Sequence, residues 1–174
     1  MTDGSTDALV LAIYPITRGV AFVLMKSPLA PIDWGIKGID ARDRHASSLE
    51  KVAALLKCSR PAAIVLEDPT LPRLRRAPKL KRLMLAIERL ARRARIDVYR
   101  YSRSAVQECF SHFGARTRYE TAAAVAARVP ALARFLPRRR KLWESEDSRM
   151  GIFRAAALAL THYDKEARQV MRNK

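Results

Sequence analysis

Two apolar runs, LVLAIY at residues 9–14 and GVAFVLM at 19–25, are separated by a short segment bearing Pro15, Thr17, Arg18 and Gly19. Val, Ile, Leu and Phe dominate both runs, and proline and glycine favour turns, so residues 9–25 read as a buried β-hairpin. PIDWGIKGI at 31–39 alternates apolar residues with others, the period of a third strand, and completes an antiparallel meander. From Asp43 to Lys57, Leu49, Val52, Ala53, Leu55 and Leu56 recur at mostly helical spacing, and Ser59-Arg60-Pro61 ends that helix. AAIVL at 62–66 is continuously apolar, as in a central strand covered on both faces, and it runs into Glu67-Asp68-Pro69.

Leu80, Leu83, Met84, Ile87, Leu90 and Ala91 form the apolar stripe of a helix over 79–95, followed by a fifth strand at 96–101. Ser102 can cap a helix over 105–113 that Gly114 ends. Thr117 can cap the next, with Glu120 in the capping-box position, and its Ala-rich run stops near Pro130. After a basic linker at 131–141, a last helix is expected to begin near Ser145, with Glu146 and Asp147 in its first turn, where acids suit the helix dipole. Met150, Phe153, Ala157, Leu160 and Thr161 supply its buried face. The polar tail is expected to fray.

These elements fit one domain over residues 9–163, between an unstructured N-terminus (1–8) and a basic C-terminal tail (164–174). The charge changes the picture. Lys and Arg outnumber Asp and Glu 34 to 17 in 174 residues, a formal net charge of +17, which calls for a polyanionic partner: nucleic acid first, an anionic membrane second. No apolar run approaches the roughly 20 residues of a membrane span, and the short polar N-terminus has no signal-peptide pattern, so a cytoplasmic protein is expected. Cys58 and Cys109 lack metal-ligand spacing and read as reduced thiols.

The cations are concentrated. Arg73, Arg75, Arg76, Lys79, Lys81 and Arg82 follow one another without an intervening acid, and Arg138, Arg139, Arg140 and Lys141 form a second cluster. With Arg18 at the hairpin turn and Arg116 and Arg118 before the Ala-rich helix, they are the candidate phosphate contacts. Aromatic residues make up only 7% of the chain and do not interleave with the cations, which favours reading duplex shape over stacking on single strands. Glu67 and Asp68 end a central strand, where ligands gather in open α/β sheets, or they open a turn before Pro69.

Three meander strands, helix, strand, helix, strand and then helices is the order of an α/β, ribonuclease H-like fold: a five-stranded mixed sheet, part antiparallel meander and part parallel, flanked by helices. In this order the chain resembles the RuvC-type Holliday junction resolvases. The opening hairpin looks like that family's first two strands, RPAAIVLE (60–67) like its fourth strand ending in a catalytic Glu, and ALALTH (157–162) like its last helix.

The resemblance implies phosphodiester hydrolysis with two magnesium or manganese ions held by carboxylates, and a homodimer acting on branched DNA. It places the family's acids at Glu67, Tyr14, Gly151 and Arg154. Only Glu67 is an acid. A phenol is a poor magnesium ligand, glycine is none, and an arginine repels the ion while its fork can pair with Glu67 instead.

Two readings of the site therefore stand. One is a nucleic-acid-binding protein, for branched or duplex DNA or structured RNA, whose endonuclease activity is lost or strongly impaired. The other is an active magnesium- or manganese-dependent junction endonuclease using Glu67 with Asp147 and Glu146, with Glu67 and Asp147 as metal ligands. A third possibility is a structural subunit of a larger nucleoprotein assembly, which predicts exposed apolar surface beside the cations.

Overall fold

A computed structural model describes residues 8–40, 42–70 and 77–174. Five strands, β1 (Val10–Ile16), β2 (Gly19–Ser27), β3 (Ala30–Gly38), β4 (Ala63–Glu67) and β5 (Asp97–Tyr101), form one sheet in the order β3-β2-β1-β4-β5. The β1–β2 and β2–β3 pairs are antiparallel and the β1–β4 and β4–β5 pairs parallel. Gly19 opens β2 with φ 141°, and a Cβ there would lie 2.1 Å from the Lys37 carbonyl oxygen on β3, so the hairpin turn accepts only glycine.

Strand parity divides the core. Leu11 and Ile13 of β1, Val20, Phe22 and Leu24 of β2, and Ile64 and Leu66 of β4 face α1 (Arg44–Ser59) and α2 (Pro78–Arg93). Val10, Ala12, Ala21, Val23, Met25 and Val65 face the opposite way, towards α3 (Arg103–Ser111), α4 (Arg118–Arg128), the short α5 (Pro130–Ala133) and α6 (Met150–Arg172). The central strands are apolar on both faces because both are covered.

Local signals fixed several helix starts. Asp43 caps α1 through a bond from the Ala46 amide, and Ser102 caps α3 through the Ala105 amide. Thr117 and Glu120 form the full capping box of α4.

Four expectations change. The last helix begins at Met150 rather than near Ser145, because residues 137–149 form an irregular loop with its own ion pairs, so Glu146 and Asp147 precede the helix. Residues 164–172 do not fray but continue α6, with an Arg168–Asp164 pair one turn apart at 3.0 Å. The segment after Pro130 is a helical turn before it becomes a linker. Glu67 belongs to β4 itself, one residue beyond the expected end. The expected unstructured N-terminus lies, apart from Ala8, outside the described residues.

Candidate nucleic-acid site

Tyr14 and Glu67 stand on neighbouring parallel strands, two residues beyond the last paired positions, Ala12 and Val65. Parity turns both towards α6. Glu67 is 8% exposed. Asp68 separates from it: its Oδ1 accepts from the Thr70 amide at 2.9 Å and the Thr70 hydroxyl at 2.7 Å, a local turn before the chain leaves the sheet. The Thr70 amide is the main reason its carboxyl sits below the usual range, against the opposing effect of burial. Asp68 therefore takes the turn reading, whereas Glu67 stays in the sheet and lines the cavity beneath α6.

Small residues let α6 lie close to the sheet. Ala155, Ala156, Ala157 and Ala159 are all buried in the helix face, and Gly151 meets the hairpin directly. A Cβ at Gly151 would lie 2.7 Å from Ile16 Cγ2 and 2.8 Å from Ala21 Cβ. There is no room for any side chain at this position, carboxylate included.

Three residues further on, Arg154 reaches across to β1. Its Nη1 donates to the Tyr14 hydroxyl at 2.5 Å, its Nη2 donates to Glu146 Oε1 at 2.6 Å, and its guanidinium carbon lies 5.1 Å from the Tyr14 ring centroid. Arg154 is thus gripped by a phenol and a carboxylate, the carboxylate being that of Glu146 rather than Glu67. Glu146 can reach it because the preceding chain loops back instead of extending as helix. Asp147 is held separately by Arg149, at 2.7 Å between Oδ2 and Nη2, and that hydrogen bond keeps its carboxyl below the usual range.

Tyr14, Glu67 and Arg154 line an open cavity of about 100 Å³ together with Arg103, Arg116 and Arg118. Arg118 loses hydration there and feels Arg154 and Arg103, which lower its pKa; Glu146 and Tyr14 oppose this only in part. Arg103 was not anticipated as a site residue. Its signal was its place directly after the Ser102 cap, at the carboxyl end of β5.

The two candidate clusters fare differently. Arg73, Arg75 and Arg76 lie outside the described residues, while Lys79, Lys81 and Arg82 occupy the first turns of α2. Arg18 is exposed in the β1–β2 turn, at the same end of the sheet as Tyr14. Arg138, Arg140 and Lys141 fold around Glu144: Arg138 Nη2 pairs with Oε1 at 2.6 Å, Arg140 Nη1 bonds the Glu144 carbonyl at 2.9 Å, and the Lys141 amide bonds Oε2 at 2.9 Å. Arg139 lies over the Tyr119 ring. The turn they build holds Leu142 fully exposed and Trp143 79% exposed, an apolar pair among cations that sequence patterning missed.

A second buried polar cluster lies on α6 away from the cavity. His162 is 1% exposed; its Nδ1 is 3.0 Å from the Tyr101 hydroxyl, its ring centroid is 4.4 Å from that of Tyr99, and its Nε2 is 3.5 Å from Glu166. Burial pushes the Tyr101 phenol up to about 12 and His162 below its ordinary value.

A meander joined through β1 to two parallel strands, with helices on both faces, defines the ribonuclease H-like fold in its RuvC-like form. Among solved structures, Thermus thermophilus RuvC in complex with Holliday junction substrate superposes with a TM-score of 0.65 at 20% identity, covering 93% of this chain and 96% of that one. A second structure of Thermus thermophilus RuvC gives 0.64 at 19% identity, with 91% and 96% covered. Neither a protein-family model nor a curated protein matches the sequence. No described helix is long and apolar enough to cross a membrane.

The donor set does not fit a pair of divalent metal ions. Hard cations take carboxylate oxygens, and among the described residues the cavity that Glu67 lines is shared with the Tyr14 phenol and the Arg154 guanidinium, while Gly151 lies against the hairpin with no space for a carboxylate side chain. Among the described residues no three His, Cys, Asp or Glu side chains gather as a metal site.

Proposed function

We propose that this protein is a RuvC-like nucleic-acid-binding protein that recognises branched or duplex DNA and whose endonuclease activity is lost or strongly impaired. The observation that carries the reading is the Tyr14–Arg154–Glu146 network, which fixes a guanidinium in the cavity that Glu67 also lines. A guanidinium at that place repels a divalent cation and attracts a phosphate. The net charge of +17 supports a polyanionic partner, and the likeness to a RuvC solved with a Holliday junction supports branched DNA as its form. A homodimer belongs to the same proposal and is read by sedimentation.

The nuclease alternative asks Glu67 to share an ion with Asp147 and Glu146. Both latter carboxylates are committed to arginines, Asp147 to Arg149 and Glu146 to Arg154, and would have to leave them. The structural-subunit alternative has one favouring observation, exposed Leu142 and Trp143 beside Arg138 and Lys141. A pair of residues is a small patch beside those that mark protein interfaces.

Equilibrium binding of a four-way DNA junction and of a duplex with the same arms, at several salt concentrations, tests the proposal. Salt-dependent binding with preference for the junction, and DNA recovered intact after incubation with magnesium, supports it. Absence of binding at low salt overturns it.

A further inference from the structure

The cavity beside Glu67 gathers more positive charge than its carboxylates balance. Arg103, Arg116, Arg118 and Arg154 line it, against Glu67 and the Glu146 that grips Arg154. Three helices start here. Arg103 is the first residue of α3, Arg118 the first of α4, and Arg154 lies in the opening turns of α6, so residues at the N-terminal ends of three helices line the cavity. Like charges crowded together destabilise one another, and an anion between them turns that repulsion into attraction. The Arg118 guanidinium shows the crowding, its pKa lowered by lost hydration and by the nearness of Arg154 and Arg103.

The space suits the charge. The cavity measures about 100 Å³, well above the roughly 10–15 Å³ that one water requires, and it is open to solvent. Arg154 is already oriented, because Tyr14 and Glu146 take two of its N–H donors and fix the plane of its fork.

We propose that this cavity is a metal-independent phosphate site, in which Arg154 and Arg118, flanked by Arg103 and Arg116, grip a phosphodiester of the bound nucleic-acid backbone through direct guanidinium hydrogen bonds. The inference rests on the nucleic-acid-binding reading above and adds how the backbone is held where no carboxylate set for metal exists. Arginine forks match phosphate geometry, and such charge-assisted bonds need no bridging ion. The protein then clamps the phosphate beside Glu67 and leaves it uncut.

Anisotropy of a labelled four-way junction, with EDTA and with magnesium at matched ionic strength, tests this. Equal affinity in both buffers is expected, and Arg118→Ala with Arg154→Gln should weaken binding about 10- to 100-fold. Arg89→Ala with Arg93→Ala removes the same charge from α2, away from the cavity, and should weaken it far less. Arg103→Ala with Arg116→Ala, both exposed residues whose loss leaves the core intact, should weaken binding in the same direction should Arg154→Gln fail to fold. Inorganic phosphate, added in a thermal melt, separates the sources. Strong protection by phosphate that the Arg118/Arg154 variant loses, with junction affinity unchanged by the substitutions, assigns the cavity to a free phosphate ligand and overturns the backbone contact. Junction binding that vanishes in EDTA, or that responds equally to both double substitutions, also overturns it. A wild-type protein that binds no junction contradicts the underlying reading instead.

Discussion

Arg154 of α6 donates a 2.5 Å hydrogen bond to the hydroxyl of Tyr14 on β1, joining two residues 140 positions apart. The bond fastens the start of the last helix to the end of the first strand, and Arg154 is only 19% exposed where it does so. Tyr14→Phe keeps the ring and removes the acceptor, so it should lower unfolding free energy by about 1–2 kcal/mol. Arg154→Met should cost a similar amount, and the double variant less than the sum, with a coupling of about 0.5–2 kcal/mol in urea titrations.

Gly151 reverses an ordinary rule. Glycine to alanine inside a helix normally gains up to about 1 kcal/mol of propensity. Here the added methyl meets Ile16 and Ala21 at 2.7 and 2.8 Å, so Gly151→Ala should instead destabilise by about 1–3 kcal/mol. Gly151→Asp should cost more, since it adds a buried carboxylate to the clash. Chemical denaturation of both variants checks the order.

His162 gives the fold a pH dependence. Burial among Tyr99, Tyr101 and Tyr163 holds its pKa below the ordinary 6.5, with Glu166 partly opposing. The unfolded chain therefore takes up the proton first as pH falls. The stabilising contribution is complete above 6.5 and is lost as pH drops from there towards the lower folded-state value. Melting temperature should decline over that window, and His162→Leu should flatten the decline.

Salt dependence reads the second basic cluster. Arg139→Ala with Lys141→Ala removes two exposed cations that make no ion pair with Glu144 through their side chains. If both touch phosphates, junction affinity falls and the slope of log K against log salt becomes shallower by roughly 0.9 for each phosphate no longer neutralised, about 2 for the pair. An unchanged slope removes these residues from the interface.

The fold was legible because its signals are local. Two apolar runs about a Pro- and Gly-bearing turn marked β1 and β2, alternation marked β3, the apolar AAIVL marked a doubly covered strand, and Thr117 with Glu120 announced a cap that forms as expected. The last helix was misplaced because Glu146 and Asp147 resemble first-turn acids, whereas both turn to arginines in a loop, a choice that depends on contacts far along the chain. Tyr14, Gly151 and Arg154 could be singled out from the resemblance to the RuvC-type family, at the positions where it carries its acids. Their mutual arrangement could not. Nothing near Arg154 in sequence specifies Tyr14 as its acceptor, and the absence of space at Gly151 exists only once α6 lies on the hairpin.

A cleavage assay decides whether this RuvC-like fold has lost its nuclease activity: a four-way junction is incubated in protein excess with manganese, and the products of wild-type and Glu67→Gln protein are resolved on denaturing gels. Intact strands are expected with both proteins while the junction stays bound. Symmetric nicks made by the wild type and abolished by Glu67→Gln would contradict the loss of nuclease activity.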